Sequence, residues 1–286
     1  IWQFLRYAAQ QQREPLRIVI IGAPGSGKTT LLQHLALVQA LGKTKQFGVT
    51  FLNSQLPVLL TLRQHTQAIL EKRSLADIAQ THFRGKDRYP DLSPPEGWFA
   101  QQLQRGKCLV LLDGLDEVAQ TSQRRQVSEW IDEQMVNYPR CQFIITSRFQ
   151  GYQEAPLNWV DVLEMQPFNQ SQAHQFIDAW YLANEEMSFG GKQDANVVLK
   201  AQQEAQDLWR RLQRRPELIE LTVNPLLLTM IAMVHRYRGQ LPGRRMELYA
   251  EICDVLLSHW REAKGIQEKL TAAQKRVALQ PLASKM

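Results

Sequence analysis

The chain has 286 residues, of which 44% are apolar and 22% are charged, and its formal net charge is +6 at pH 7. This composition excludes a disordered or fibrous chain and is typical of a protein that buries a hydrophobic core. The modest positive charge favours solvated helix faces over a nucleic-acid surface.

The apolar runs and the cysteines indicate whether the chain has a membrane segment, disulfides or a cysteine metal site. The longest apolar run, residues 225–234, is shorter than the 20 or so residues that span a bilayer, so we expect no membrane segment in the chain. The three cysteines have no paired or metal-type spacing, and Cys108 and Cys141 each open an apolar strand. We therefore expect buried thiols in a reducing, cytoplasmic compartment.

The first half of the chain alternates short apolar runs with helical patterns. Residues 1–12 predict a helix or the end of a linker. Strands are expected at 16–21, 57–62, 107–112, 141–146 and 159–165, helices at 74–83, 96–104 and 123–138 and before Gly42, and a loop at 86–95. This alternation predicts an α/β fold in which helices sandwich a parallel sheet, with ligands at the carboxyl ends of the strands.

A glycine-rich loop follows the first strand and meets the P-loop pattern in full. Gly22, Gly25 and Gly27 are expected to allow backbone angles that a Cβ would forbid, so that N–H groups turn towards phosphate oxygens. Lys28 adds a positive charge near the β- and γ-phosphates, and Thr29 offers a hydroxyl to Mg²⁺. The predicted nucleoside triphosphate site consists of Gly22, Ala23, Pro24, Gly25, Ser26, Gly27, Lys28, Thr29 and Thr30.

Three carboxylates follow the third strand within five residues. Asp113 ends the apolar run 109–112, which is where a magnesium-binding carboxylate is needed beside a P-loop. Asp116 and Glu117 come three and four residues later, and one of them is expected to polarise the attacking water. Like charges so close repel one another, and we expect Mg²⁺ to relieve that repulsion.

Arg148 follows the fourth strand in the sequence Thr-Ser-Arg. An arginine at the end of a strand next to the Asp113 strand could donate a charge-assisted hydrogen bond to the γ-phosphate. A plain surface arginine is the alternative.

After Phe168 the chain reads as helix throughout. Helices are expected at 171–182, 196–213, 216–221, 225–238, 244–264 and from Thr271, with one loose segment at 185–193. Pro225 suits the first position of its helix. The predicted organisation is an N-terminal helix or linker (1–14), a P-loop NTPase core (15–167), a helical subdomain (168–270) and the start of a further domain (271–286). The first residue, Ile1, and the incomplete last helix lead us to expect a piece of a longer polypeptide.

The segments 22–30, 111–117 and 144–148 together resemble the NACHT domain family, a branch of signal-transducing P-loop NTPases within the AAA+ group. Gly114 followed by the Asp116-Glu117 pair is the most specific feature, and residues 224–228 and 241–249 are similar to the helical region of the family. The resemblance extends over about residues 14–286.

The resemblance implies a role for each of these residues. Lys28 and Thr29 would bind phosphate and metal, Asp113 would hold Mg²⁺, Asp116 or Glu117 would orient water, and Arg148 would sense the nucleotide. Pro225 would contact adenine, and residues 271–286 would begin a winged-helix domain.

Members of that family are usually switches that are closed with ADP and assemble into rings with ATP. The resemblance therefore implies slow ATP hydrolysis, self-association through the NTPase domain, and upstream effector and downstream sensor domains in a signalling or defence protein. Three alternatives stay open: a nucleotide-binding module without hydrolysis, an AAA+ ATPase that acts on nucleic acid, and a small-molecule kinase. The preference for ATP over GTP rests on the resemblance.

Overall fold

The computed structural model describes residues 1–11, 15–49, 55–84, 94–191, 194–262 and 271–284. The chain divides into two compact units, Ile1–Gln166 and Pro167–Met286. Each unit has its own hydrophobic core. The part of the second unit that the structure describes is helical, whereas the first unit combines helices with a sheet.

Strands and helices alternate along the first unit. Its strands are β1 (Arg17–Ile21), β2 (Leu56–Thr61), β3 (Cys108–Asp113), β4 (Gln142–Ser147) and β5 (Asp161–Glu164). Its helices are α1 (Trp2–Gln10), α2 (Lys28–Ala40), α3 (Leu62–Leu70), α4 (Leu75–Phe83), α5 (Trp98–Gln104), α6 (Thr121–Asn137) and α7 (Phe149–Glu154). A short 3-10 turn, Leu115–Glu117, follows β3.

Neighbouring strands of the sheet run parallel, in the order β2-β3-β4-β1-β5. The register aligns Ile21 with Ser147, and Leu112 with Ile145. Because β4 lies between β1 and β3, the carboxyl ends of these three strands lie side by side at one edge of the sheet. The predicted parallel sheet is confirmed.

The two faces of the sheet are covered by different helices, because successive side chains of a strand point to opposite faces. Val110 and Leu112 share a core with side chains of α3, α4, α5 and α6. Leu109 and Leu111 share a second core with side chains of α1 and α2. Every residue of β3 and β4 is buried, as expected for strands covered on both faces.

The second unit is built from packed helices. They are α8 (Gln170–Ser188), α9 (Ala195–Gln213), α10 (Pro216–Ile219), α11 (Pro225–Arg238), α12 (Arg245–Glu262) and α13 (Ala272–Ala283). Tyr181 of α8, Leu208 of α9 and Ile231 of α11 lie in its core. Among the described helices, none combines the length and the apolar composition that crossing a membrane requires.

Two helices of the first unit were missed by the sequence analysis. α3 begins directly after β2, so Leu62, expected in the strand, is the first residue of the helix. α7 has only six residues and follows Arg148. Neither helix has a side-chain hydrogen bond at its N-cap, so the capping pattern that marks other helices is absent from both.

Three finer expectations are wrong. The helical spacing of the apolar residues in 123–138 predicts a buried stripe that includes Val136, but Val136 is 70% exposed. Trp159 has a positive φ of 56°, so β5 begins only at Asp161. The segment expected to be loose from residue 185 remains helical to Ser188, because Glu185 is buried and pairs with a lysine and an arginine.

The predicted buried thiols are confirmed, since Cys108 and Cys141 are free and buried at the starts of adjacent strands. Cys253 is free and exposed. The loop predicted at 86–95 lies outside the described residues except for Pro94 and Pro95.

Candidate functional site

The carboxyl ends of β1, β3 and β4 bring the three predicted segments together. Residues 22–29 follow β1, residues 114–117 follow β3, and Arg148 follows β4. Hydrogen bonds join the P-loop to Asp113, and they join the acidic turn (residues 114–117) to Arg148. The predicted residues of the first unit therefore form one site.

The three glycines of the P-loop act in two different ways. Gly25 and Gly27 have φ values of 75° and 91°, which confirms the expected left-handed backbone. Gly22 does not have a positive φ, so the expectation of special backbone angles is wrong there. A Cβ on Gly22 would lie 2.8 Å from Cβ of Met165 and 2.9 Å from Oγ of Ser26, so this glycine is needed for space.

Lys28 folds back over the loop that precedes it. Its Nζ donates hydrogen bonds to the carbonyl oxygens of Gly22 at 2.8 Å and of Ala23 at 3.1 Å. Burial lowers the pKa of the Lys28 ammonium, and the nearby carboxylate of Asp116 opposes that shift. The ammonium therefore lies among the loop carbonyls and within the field of the acidic turn.

The loop has the properties of an anion site. Its Gly27 is the N-cap of α2, and no side chain caps the first turn of that helix. The hydroxyl of Ser26 is buried and has no hydrogen-bond partner among the described residues. An uncapped helix start and an unpaired buried donor both favour a bound anion. Ala23, Pro24 and Thr30 are exposed in the same segment, so the loop fits a phosphate chain that approaches from solvent.

Asp113 is buried at the end of β3, and two threonines hold its carboxylate. Thr29 Oγ1 donates to Oδ2 at 2.9 Å, and Thr146 Oγ1 donates to Oδ1 at 2.6 Å. The Gly114 N–H donates to Thr146 Oγ1 at 2.9 Å, which fixes the direction of that hydroxyl. Mg²⁺ is usually bound through one or two protein oxygens together with phosphate and water. Thr29 and Asp113, the two predicted metal ligands, are therefore suitably close.

Arg148 engages Asp116 through two groups. Its backbone N–H donates to Oδ1 at 2.8 Å, and its Nε lies 3.1 Å from Oδ2. The Asp116 side chain is 11% exposed, whereas that of Arg148 is 56% exposed. Both oxygens of Asp116 are thus occupied by Arg148, while the rest of the guanidinium faces solvent.

Glu117 is less constrained than Asp116. Its nearest cation is Arg63 of α3, with Nη1 3.7 Å from Oε2 and both side chains partly exposed. Its Cγ and Cδ would each lie 3.1 Å from a Cβ added to Gly114, whose φ is 79°, so only glycine suits that position.

The expectation that Mg²⁺ relieves repulsion among the three carboxylates stays a prediction. No group of three or more His, Cys, Asp or Glu in the part of the chain that the structure describes could hold a metal. Each carboxylate has a separate partner: threonine hydroxyls for Asp113, Arg148 for Asp116 and Arg63 for Glu117.

Two residues that the sequence analysis missed hold the acidic turn in place. A Cβ on Gly151 of α7 would lie 2.4 Å from Cβ of Asp116, so only glycine allows α7 to approach. Arg124 of α6 donates through Nη2 to the carbonyl oxygens of Asp116 at 3.2 Å and Val118 at 2.9 Å. Its Nη1 pairs with Glu154 at the end of α7. The local sequence marks neither role, because both contacts join distant segments.

Pro225 belongs to the second unit, where it is the first residue of α11. Asn224 caps the helix, and its side chain accepts hydrogen bonds from the N–H groups of Leu226 and Leu227. The expected N1 position is confirmed. The adenine contact stays a prediction.

Comparisons with solved structures give distant similarities. The ORC1 protein of Aeropyrum pernix in complex with DNA is 13% identical with a TM-score of 0.45, over 89% of this chain and 64% of that chain. PCH-2 of C. elegans is 14% identical with a TM-score of 0.40, over 88% of this chain and 67% of that chain. Domain III of the replication initiation protein DnaA of Thermotoga maritima is 12% identical with a TM-score of 0.38, over 87% and 88%. No curated protein shows significant similarity to the chain.

The family comparison is more decisive. The family model of the NACHT domain matches residues 16–184, which is more than half of the 286 residues. The matched range contains the P-loop, Asp113, the acidic turn and Arg148. With its P-loop nucleotide-binding module and this match, the chain belongs to the NACHT domain family.

Proposed function

We propose that this protein is a molecular switch that binds ATP with Mg²⁺, hydrolyses it slowly and changes its self-association with the nucleotide state. One observation carries the proposal: Lys28, Thr29, Asp113 and Arg148 lie around the carboxyl ends of three adjacent parallel strands. This is where open α/β sheets bind their ligands.

Binding would use groups that the P-loop already presents. The N–H groups at the start of α2, the Ser26 hydroxyl and Lys28 would hold the phosphates. Thr29 and Asp113 would hold the metal, which neutralises phosphate charge when it is bound. Lys28 would exchange the loop carbonyls for phosphate oxygens, a charge-assisted contact that is stronger than its present ones.

The two acidic residues would have different roles. Asp116 uses both oxygens on Arg148, so it is suited to position the arginine. Among the described residues, Glu117 has one long ion pair, with an exposed arginine, and therefore keeps more acceptor capacity than Asp116 for a water molecule. We therefore assign the orientation of the attacking water to Glu117 and the positioning of Arg148 to Asp116.

Arg148 would report the presence of the γ-phosphate. One hydrogen bond to a charged group contributes about 1.5–3 kcal/mol net. Moving an equilibrium from about 1:99 to 99:1 needs roughly 5.5 kcal/mol of differential affinity. Arg148 would therefore need further γ-phosphate contacts or a second copy of the chain, which supports a switch that is coupled to self-association.

Nucleotide binding is tested by titrating a fluorescent ATP analogue with and without Mg²⁺. Lys28→Ala should weaken affinity at least tenfold, and Asp113→Asn should remove most of the gain that Mg²⁺ gives. Lys107→Ala is the matched control, because Lys107 is an exposed lysine that precedes β3 at the opposite edge of the sheet. Equal affinities for the parent and the Lys28 variant would contradict the site.

The switch is tested by analytical ultracentrifugation of the same chain with ADP or with a non-hydrolysable ATP analogue. We expect a larger assembly with the ATP analogue and none with Lys28→Ala. An assembly state that does not depend on the nucleotide would contradict the switch while leaving nucleotide binding intact.

A further inference from the structure

A small arginine-lined cavity lies in the second unit. Its volume is about 300 Å³. Its walls come from the last turn of α9 and the residues directly after it: Asp207, Arg210, Arg211, Arg214 and Arg215. Four guanidinium groups thus surround one carboxylate. Neither the P-loop site nor the proposed switch uses this cavity.

Two of the four arginines are fixed by the fold. Arg211 Nε lies 2.6 Å from Asp207 Oδ2. Arg215 Nη1 donates to the carbonyl oxygens of Leu241 at 2.6 Å and Pro242 at 2.7 Å. These contacts hold two walls of the cavity in place before any ligand arrives, which reduces the entropic cost of binding.

The single carboxylate in the cavity is shared between several donors. Besides Arg211, the buried His235 lies with Nε2 3.0 Å from Asp207 Oδ2. Burial raises the pKa of Asp207, but hydrogen bonds from Arg211 and His235 outweigh it and hold the pKa below its usual value. Asp207 therefore stays ionised, and its one negative charge offsets one of the four positive charges.

The other two arginines are available to a ligand. Arg210 is exposed, with Nε donating to the Gln206 carbonyl oxygen at 3.3 Å and Nη2 lying 3.7 Å from Asp207 Oδ1, so most of its N–H groups remain open to a ligand. The Arg214 side chain is exposed and makes no hydrogen bond or ion pair with any residue that the structure describes. Arg210 and Arg214 are four residues apart, a spacing at which like charges repel. The negative end of the helix dipole favours cations there, but it does not require them to line a concave surface.

We propose that this cavity binds a small, multiply charged phosphate anion, such as a polyphosphate or a compact phosphate ester. A guanidinium group can donate two parallel hydrogen bonds to two oxygens of one phosphate. The cavity has a net excess of three positive charges, which is more than a ligand with a single carboxylate would neutralise. The cavity accommodates a compact anion. A nucleic-acid strand would instead need a long track of cations, and the lining is limited to one cluster.

The test is calorimetric titration of the whole chain with inorganic tripolyphosphate at fixed ionic strength. The Lys28→Ala background weakens phosphate binding by the P-loop. Arg210→Gln combined with Arg214→Gln should weaken tripolyphosphate binding about tenfold or more, because two charge-assisted contacts are lost. Arg244→Gln combined with Arg245→Gln is the matched control, because both arginines are exposed in the same unit and neither lines the cavity. It should leave the affinity unchanged.

Three results would overturn the proposal. The first is no tripolyphosphate binding in the Lys28→Ala background. The second is an equal loss of affinity in the control with Arg244 and Arg245 replaced, which would show attraction by net charge alone. The third is tighter binding of a single-stranded oligonucleotide with a steep salt dependence, which would assign the arginines to nucleic acid. Melting curves of each variant confirm that the fold is retained.

Discussion

The Thr146 hydroxyl at the end of β4 orients the Asp113 carboxylate at the end of β3. Its Oγ1 donates to Asp113 and accepts the Gly114 N–H, and all of these groups are buried. Asp113 therefore has one fixed orientation towards Thr29 of the P-loop. A buried polar group that loses its partner is costly, so Thr146 should matter for both stability and metal binding.

The Thr146→Val substitution should remove the hydrogen bond that orients Asp113. We expect the gain in ATP affinity from Mg²⁺ to fall about tenfold and the free energy of unfolding to fall by about 1–3 kcal/mol. Thr146→Ser keeps the hydroxyl and should restore most of the Mg²⁺ dependence. Titrations at several Mg²⁺ concentrations measure the effect, and a valine variant with parental Mg²⁺ dependence would refute it.

Gly151 determines how closely α7 approaches the acidic turn. In Gly151→Ala the added Cβ would meet Cβ of Asp116 at 2.4 Å, so the turn must shift. We expect ATP hydrolysis to slow about tenfold or more, while ATP affinity stays near the parental value because the P-loop is untouched.

Gly243→Ala serves as the control for Gly151→Ala. A Cβ there would meet only Oε2 of Glu247, at 3.7 Å, and the backbone does not have a positive φ. Single-turnover rates compare the two variants. Equal rates for both would show that the approach of α7 does not affect the reaction.

The residues of the site differ in how well the sequence predicts them. Lys28 and Thr29 belong to one dense pattern whose parts are adjacent in the chain, so the pattern alone locates them. The pair of Asp116 and Arg148 joins residues 32 positions apart, and only the strand order shows that they meet. Thr146 was noted only as a neighbour of Arg148, since a hydroxyl at the end of a strand has no distinctive pattern.

Helices α6 and α7 are joined to the acidic turn by Arg124. Its side chain donates hydrogen bonds to the carbonyl oxygens of Asp116 and Val118 and pairs with Glu154 of α7. Arg124→Ala should lower the rate of ATP hydrolysis several-fold and leave ATP affinity nearly unchanged, because the turn loosens while the P-loop stays in place. Arg124→Lys, which restores part of the contact, should recover part of the rate.

The adjacent Arg125→Ala is the matched control for Arg124→Ala. Arg125 Nε donates to the Glu154 carbonyl oxygen at 3.1 Å and makes no contact with the acidic turn. Separate measurement of kcat and KM distinguishes the two variants. A loss of ATP affinity equal to the loss of rate would contradict the positioning role.

Helices α8, α9 and α11 are connected by a buried polar chain. The Tyr181 hydroxyl lies 2.6 Å from His235 Nδ1, and His235 Nε2 lies 3.0 Å from Asp207 Oδ2. Burial raises the pKa of Tyr181, so the hydroxyl stays protonated and can donate to the imidazole. Every polar atom of the His235 ring is therefore paired inside the core.

His235→Leu should break this chain and leave the Tyr181 hydroxyl with only the long contact to the Ala232 carbonyl oxygen at 3.4 Å among the described residues. We expect the free energy of unfolding to fall by about 2–4 kcal/mol, measured by urea denaturation. His174→Leu is the control, because the His174 side chain is 41% exposed and has only a 3.9 Å ion pair with Asp178 and a ring contact with Trp209 among the described residues. It should therefore cause a clearly smaller fall in the free energy of unfolding. A smaller effect at His235 than at His174 would contradict the structural role.

The elements that the sequence predicts well carry local signals. Ser74 accepts a hydrogen bond from the Asp77 N–H at the start of α4, as an N-cap serine should. The strand β3 is apolar at every position before Asp113, and β4 contains the apolar run Phe143–Ile145, so both are easily recognised. By contrast, α3 and α7 are short, have no side-chain cap and continue almost directly from strands, so no local signal separates their first residues from the strand before them.

The predicted functional residues of the molecule are divided between its two units. The P-loop, Asp113, the acidic turn and Arg148 belong to the first unit, whereas Pro225 and the arginine-lined cavity belong to the second. The parallel sheet could be predicted from alternating strands and helices. Which apolar side chains form the separate cores on the two faces of the sheet depends on the strand order and on which helices cover each face, and the sequence pattern does not specify either.

We propose that the site at the carboxyl ends of β1, β3 and β4 hydrolyses ATP, with Glu117 orienting the water. The most direct test is single-turnover hydrolysis of Mg-ATP by the parent, Lys28→Ala, Asp116→Asn and Glu117→Gln, with ATP binding followed in parallel. We predict that Lys28→Ala loses binding and that Glu117→Gln binds ATP but cleaves it about 10²–10⁴-fold more slowly. We predict a smaller loss for Asp116→Asn. A parent that binds ATP without releasing phosphate, or a Glu117 variant that cleaves at the parental rate, would contradict the claim.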